Sequence, residues 1–454
     1  MYCWQSFFIY SIIYSNIYSS STIMSNARSE LMQSMLSVLR QHGQPLRSVQ
    51  LQERLQVSQP TASRALAALV QSGDVVKLGQ GRNQHYGVPR HVFGVGSQIP
   101  VTAVDVTGRL QALGTLHALH GGGYWVDGEG LRAMLSGGAY FDGLPWLIQD
   151  MRPQGFLGRR FAKQHWGQAL GSDPRQWSDD DMLLAISMFG DDLPGNLIVG
   201  EPALQRHLQQ VGQGWPVAEP EDYPALAQAA MDGAVPGSSA GGEQPKFCCV
   251  DGEGRSWIVK FSSAESNPVA ERVRRLLRCE HLALQTLQAA GQPAAHTELH
   301  ALEGRVFLAA ERFDRSEPDL LGQTPGRIGM VSLESFNAEF AGTVDQWSRT
   351  AQRLHDLGLL SQEEMRRLKL WDAFGQLIAN TDRHYGNISL LWTGRRWALA
   401  PCYDMLPMRF MPVQGEVPAW SWSMDTVQPT AAMLEVWDEA QALAQTFWGR
   451  VEQG

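Results

Sequence analysis

The feature that most constrains this chain is a polar loop, Asn380-Thr381-Asp382-Arg383-His384-Tyr385-Gly386-Asn387, set between two strongly patterned segments. Before it, residues 361–379 read as an amphipathic helix, with Leu370, Phe374, Leu377 and Ile378 on one face. After it, Ile388 to Trp392 and Trp397 to Ala400 read as two strands closing on Thr393-Gly394. Asp404 follows in Pro401-Cys402-Tyr403-Asp404-Met405. An aspartate and an asparagine five residues apart suit a proton acceptor and a ligand for a hard cation, and Asp404 adds a second oxygen ligand. Taken alone that spacing is weak, because polar loops produce it by chance. Its place after a helix and before a hairpin makes it stronger.

A second constraint is Lys260 in Trp257-Ile258-Val259-Lys260-Phe261. Strand side chains alternate, so Trp257, Val259 and Phe261 share one face and Ile258 and Lys260 the other. A lysine in an apolar strand is costly unless its ammonium meets an anion, and nucleotide phosphates are one candidate. In the helix expected over 269–290, Val273, Leu277, Leu284 and Leu287 form a seam, and Glu280 falls on the same stripe. Glu280 is either the buried partner of Lys260 or a partly exposed acid at the seam's edge. Upstream, Pro236-Gly237-Ser238-Ser239-Ala240-Gly241-Gly242-Glu243-Gln244-Pro245-Lys246 precedes a hairpin of Lys246 to Val250 and Ser256 to Phe261. Its small residues let backbone N–H groups approach phosphates. It matches no standard phosphate-loop pattern, and a glycine-rich linker reads equally well.

The N-terminal part has a different character. Helices are expected over 29–42, Ser48 to Leu55 and Gln59 to Gln71, then strands over Asp74 to Leu78 and Asn83 to Val88. Over 24–97 the basic residues are 28, 40, 47, 54, 64, 77, 82 and 90 and the acidic ones 30, 53 and 74, a local balance of +5 against −9 for the chain. A basic module in an acidic protein suggests a phosphate-backbone docking face. Gln59, Thr61, Ser63 and Arg64 at the start of the third helix suit base and phosphate contacts, and Arg82 at the turn between the strands suits the minor groove. The stretch "VSQPTASRALAALVQSG" resembles bacterial winged-helix regulators. Protein contact or dimerisation is the alternative use of such a module.

The length of 454 residues fits two or three domains, and 44% apolar with 18% charged residues supports real cores. Cys3, Cys248, Cys249, Cys279 and Cys402 form no CxxC pair, so neither a disulfide framework nor a zinc site is expected. A reducing, cytoplasmic location fits, and Cys248 and Cys249 are expected to be buried in their strand. Residues 1–23 carry no charge and no apolar run long enough to span a membrane. They are read as an extension outside the folded protein, or an over-extended start. No membrane partner is expected.

"SSAGGEQPKF", "WIVKF", "ERFDR", "NTDRHYGN" and "PCYDM" stand in the order found in the HipA-like kinases, and the resemblance covers roughly residues 100–410, most securely 236–410. It implies an α+β, two-lobed protein-kinase-like fold, here preceded by a winged helix-turn-helix domain. The expected division is 24–90 winged helix-turn-helix, 91–310 N-terminal lobe and 311–454 a mainly helical C-terminal lobe. That lobe is shortened, since only 50 residues follow Asp404. The resemblance implies ATP and magnesium as cofactors and serine or threonine of a protein as acceptor, an aminoacyl-tRNA synthetase being one family target, with growth inhibition as the outcome. It makes Asp382 the catalytic aspartate, Asn387 and Asp404 the metal ligands, and Lys260 the phosphate contact. Glu311 and Phe313 would present backbone groups to adenine. Ser239, Ala240 and Gly241 would cradle phosphates, and Ser238 would be the autophosphorylated serine. Many members pair with a helix-turn-helix antitoxin, and here the DNA-binding module stands in the same chain. The alternative is a nucleotide-sensing transcriptional regulator with an inactive kinase-like domain.

Overall fold

The computed structural model describes residues 28–153, 155–164, 170, 173–213, 216–232, 244–316 and 325–453. The chain divides into two compact units. One comprises the chain up to Pro100 with Gly114–Arg132 and Ser136–Leu144; the other comprises Val101–Leu113, Ala133–Leu135 and everything from Pro145 onward. Among the described residues no helix is long and apolar enough to cross a membrane.

The first unit begins with helices over 28–42, Ser48–Leu55 and Gln59–Ser72. Pro60 lies in the first turn of the third, where its missing N–H costs nothing, and Gly73 ends it in the left-handed conformation at φ 81°. Leu39, Leu51, Ala62, Leu66 and Leu69 meet in one core. Strands Val76–Leu78 and His85–Gly87 pair antiparallel, Val76 opposite Gly87. Both are shorter than the alternation suggested: the Val75 N–H goes back to the Leu69 carbonyl at 3.1 Å, so the first starts at Val76, and a 3-10 turn over Gly81–Asn83 takes Asn83 from the second. The same unit holds Tyr124–Asp127 paired with Thr115 to Ala118 on one side and Tyr140–Phe141 on the other. Gly79 donates its N–H to Asp127 at 3.3 Å, and at φ 71° an added Cβ would come within 2.8 Å of the Asn83 carbonyl. Glycine is required there.

The second unit is built on a four-stranded antiparallel sheet, in the order Thr297–Leu302, Arg305–Glu311, Ser256–Phe261, Lys246–Val250. Trp257, Val259 and Phe261 turn inward with Phe247, Phe307 and Tyr223. Full burial of each large side chain is worth about 1.5–3 kcal/mol. The helix Pro268–Ala289 follows, capped by Asn267, which accepts the Ala270 N–H at 2.8 Å. A three-stranded sheet, Met330–Ser332, Ser389–Trp392, Trp397–Leu399, is accompanied by helices Leu333–Phe340, Trp347–Asp356, Gln362–Leu377 and Trp437–Gln453. Val101 to Ala103 pair with Leu197–Val199 in this unit. The expected strand and helix bounds around Lys260 are met within a residue or so.

One expectation needs correction, and some elements were not singled out in the sequence. Cys249 is buried but Cys248 is exposed, because consecutive strand residues face opposite ways and only one can enter the core. Near the chain's end, Met424–Thr426 and Ala431–Val436 are 3-10 turns before the final helix Trp437–Gln453. Strand Thr297–Leu302 has no counterpart among the expected elements, and Leu333–Phe340 and Trp347–Asp356 are helices within 311–454 that the pattern did not single out.

Candidate active site

Lys260 is the penultimate residue of its strand, opposite Lys246 on one neighbour and Leu308 on the other. The alternation that buries Trp257 and Phe261 turns Lys260 to the other face, where it is only 9% exposed. Its Nζ lies 2.6 Å from Glu280 Oε1 and also donates to Asp404 Oδ1. Glu280 comes from the middle of the long helix and is 2% exposed. Burial works against the Lys260 charge, but the carboxylates of Asp404 and Glu280 outweigh it and hold the ammonium above its ordinary range. Glu280 is pushed up to about 7 by burial, against the attraction of Lys260 and with the repulsion of Asp404. Burial would raise Asp404 too, but Lys260 and then Lys246 hold it down at about 2. The result is one cation shared by two acids, of which Asp404 stays ionised.

The loop 380–387 leaves the Gln362–Leu377 helix through Ala379, a buried non-glycine residue at φ 61°, and Asp404 itself sits at φ 52°. Left-handed backbone at ordinary residues is strained and concentrates at functional positions. The Asp382 N–H donates to Asn380 Oδ1 at 3.0 Å, and the carboxylate is 49% exposed. Asn387 is buried, and its amide donates to the Asp382 carbonyl at 2.8 Å, which leaves its Oδ1 as the atom that could ligate a cation. His384 Nδ1 accepts the Gly386 N–H at 3.0 Å and so shapes the loop. Tyr403 Oη donates to the Gly386 carbonyl at 2.9 Å, tying the neighbour of Asp404 to the neighbour of Asn387. An ionised carboxylate and an amide oxygen brought together in this way fit a hard cation such as magnesium.

Glu311 ends the strand beside Trp257. Its N–H donates to the His296 carbonyl at 2.9 Å and so is not free for an adenine ring nitrogen; its carbonyl is the backbone group that could accept an adenine amine. The Phe313 ring lies 5.5 Å from that of Tyr403. Ser238, Ser239, Ala240 and Gly241 lie outside the described residues. Gln244, just beyond them, donates to the Phe261 carbonyl, anchoring that end of the segment beside Lys260.

Gln59, Ser63 and Arg64 are exposed at the start of the third helix, while Thr61 is half-buried with its hydroxyl 2.9 Å from that of Ser58. Arg64 Nε donates to the Pro60 carbonyl at 3.1 Å. The Arg82 side chain lies outside what is described.

Sequence reasoning missed the support of the loop. Asp372, 1% exposed, accepts the Arg383 Nε–H at 3.0 Å and the Ser348 N–H at 2.9 Å. An aspartate inside Leu370-Trp371-Asp372-Ala373-Phe374 was the available signal, since an acid in an apolar helix face needs a partner.

Residues 95–208 match the YjjJ-like toxin middle domain, and residues 238–452 match the HipA-like C-terminal domain. The chain belongs to the HipA-like toxin family. Within that family it is similar to Toxin YjjJ of Escherichia coli, 34% identical over 418 residues that cover 90% of each chain. It is 30% identical over 294 residues to the kinase-like Y4dM of Sinorhizobium fredii, covering 58% of this chain and 62% of that one. Among solved structures, HipA of Shewanella oneidensis, in a complex with HipB and operator DNA, aligns with a TM-score of 0.46 at 15% identity over 78% of this chain and 89% of that one. The Helicobacter pylori proinflammatory kinase CtkA aligns at 0.26 and 18%, over 36% and 53%.

Proposed function

We propose that this chain is an ATP-dependent serine/threonine protein kinase of the HipA toxin type. The observation that carries the reading is the Lys260 ammonium bound at once to Glu280 and Asp404, in the same unit as an exposed Asp382. Lys260, oriented by Glu280, would donate to ATP phosphate oxygens. Asn387 and Asp404 would hold magnesium, which when bound neutralises charge on the phosphates. Asp382 would orient the acceptor hydroxyl and take its proton, and its exposure leaves room for a protein substrate. The carbonyl of Glu311 and the backbone of Phe313 would receive adenine. Ser239, Ala240 and Gly241 would cover the phosphates, with Ser238 the autophosphorylation site. Growth inhibition through a protein target such as an aminoacyl-tRNA synthetase belongs to the same proposal.

The three helices and antiparallel pair of the first unit we read as a winged helix that binds DNA through Gln59, Thr61, Ser63, Arg64 and Arg82. The support is the local balance of +5 and the exposure of Gln59, Ser63 and Arg64. A helix-turn-helix antitoxin is the further expected partner.

The test is incubation of purified protein with magnesium and γ-labelled ATP beside Asp382→Ala, with phosphosites read by mass spectrometry. Loss of the catalytic aspartate should cost about 10²- to 10⁴-fold in rate. Phosphate on Ser238 or Ser239 that is absent from the variant supports the kinase. No transfer by wild-type protein that was unmodified beforehand moves the reading to a nucleotide-sensing regulator.

A further inference from the structure

Beside Arg312, between the two residues assigned to adenine, the second unit contains a cavity of about 510 Å³. Its lining includes none of Lys260, Glu280, Asp382, Asn387 and Asp404. Three guanidiniums stand in its wall: Arg312 and Arg315, each 8% exposed, and Arg327, 2% exposed. The acids that face them are Asp192 and Asp314. Arg315 lies 2.6 Å from Asp192 and 2.7 Å from Asp314, and Arg312 lies 3.1 Å from Asp314. Arg327 reaches Asp192 only at 3.6 Å.

Among the described residues these three buried cations face two buried carboxylates, and Arg327 is the one without a carboxylate at close range. His207, 3.2 Å from Arg327, does not change that balance, because burial and the Arg327 charge hold it down at about 4 and so neutral at pH 7. Asp222 also lines the cavity, but its carboxylate is exposed to solvent, accepts the Glu219 N–H at 3.0 Å and, among the described residues, forms no ion pair with these arginines. Arg327 Nη1 is buried and has no hydrogen-bond partner among the described residues. Burial, then the charge of Arg315, draw the Arg327 guanidinium down to about 10. A buried unpartnered donor and a buried net charge are both unfavourable, and a single anion relieves both. Val217, Ala218 and Leu226 give the cavity an apolar side.

We propose that this cavity binds a small organic anion, with a carboxylate or phosphate group set against Arg312, Arg315 and Arg327 and an apolar body against Val217, Ala218 and Leu226. The site is separate from the one that receives ATP.

Cys248 is a built-in reporter: it lines the cavity and is exposed, whereas Cys249, Cys279 and Cys402 are buried. Full-length protein is treated with iodoacetamide at mildly alkaline pH, and Cys248 modification is followed by peptide mass spectrometry. The probes are phenyl phosphate, benzyl alcohol, and ATP with magnesium. Phenyl phosphate should slow the reaction several-fold and saturably, and benzyl alcohol should not. Arg327→Met should abolish this protection. Ala225→Trp, at an exposed lining position away from the buried charges, should leave phenyl phosphate with no further effect, so misfolding of the first variant does not spoil the test. Saturating ATP should leave protection by phenyl phosphate unchanged. Absence of protection, equal protection by the alcohol, or protection kept in both variants overturns the proposal. Competition with ATP also overturns it, since the cavity would then belong to the nucleotide cleft.

Discussion

Lys260 and Arg64 are both cations on regular elements, and the chain treats them in opposite ways. Lys260 is 9% exposed and bound to two carboxylates drawn from distant parts of the sequence. Arg64 is exposed, and its described hydrogen bond goes to the carbonyl four residues earlier. A buried, doubly paired charge has one position and one task, and its loss leaves other charges stranded. An exposed arginine is screened, mobile and replaceable as far as folding is concerned, which is what reversible contact with a polyanion needs. The same contrast holds inside the second unit, where Glu280 is buried and Asp382 is 49% exposed.

The sharpest way to break the comparison is Lys260→Ala. It strands Glu280 in the interior beside ionised Asp404, and removal of one member of such a buried set should cost about 3–5 kcal/mol. Denaturant unfolding measures it. A loss no larger than the ±0.5 kcal/mol typical of surface substitutions would show that the triad is not the tightly coupled set described.

A smaller effect is expected from Glu280→Gln, and it is visible in pH. Glu280 is raised from an ordinary 4.5 to about 7. The folded chain therefore holds this proton more tightly than the unfolded chain, so the contribution is complete below pH 4.5 and is lost as pH rises through 7. The melting temperature of the wild type, measured relative to Glu280→Gln, should fall across that window and then level off. A difference that is flat with pH would show that folding does not raise the Glu280 carboxyl.

The smallest effect on folding should come from Arg64→Ala, within about 0.5 kcal/mol of wild type. Its effect should appear instead in duplex DNA binding at low salt, where the dependence of log affinity on log salt loses about one unit of slope. A salt slope unchanged by the substitution would remove Arg64 from the docking face.

Much of the fold was legible where side-chain pattern and backbone geometry agree. Lys246–Val250 and Ser256–Phe261 follow from alternation around a turn, and Pro268–Ala289 from the seam of Val273, Leu277, Leu284 and Leu287. Thr297–Leu302 was not legible, because its residues Thr-Glu-Leu-His-Ala-Leu are mostly half-buried and give little alternation; pairing with Arg305–Glu311 makes it a strand. Cys248 and Cys249 show the reverse limit, since a pair of apolar residues in sequence becomes one inside and one outside. In the site, Asp382, Asn387 and Asp404 could be nominated from spacing, but the bracing of their loop by Asp372 could not.

The sequence by itself determined the periodicities, the caps and turns, and which chemical groups are available: a lysine in an apolar strand, an acid on a helix seam, a polar loop with Asp382 and Asn387. These are short-range properties of a chain, set by backbone geometry and side-chain type. Tertiary structure decided that one ammonium serves Glu280, 20 residues away, and Asp404, 144 residues away. It also decided that Arg312, Arg315 and Arg327 share a cavity, where among the described residues two buried acids, Asp192 and Asp314, face them. Burial removes water from all of these groups at once, and only packing between distant segments settles which charges then face each other.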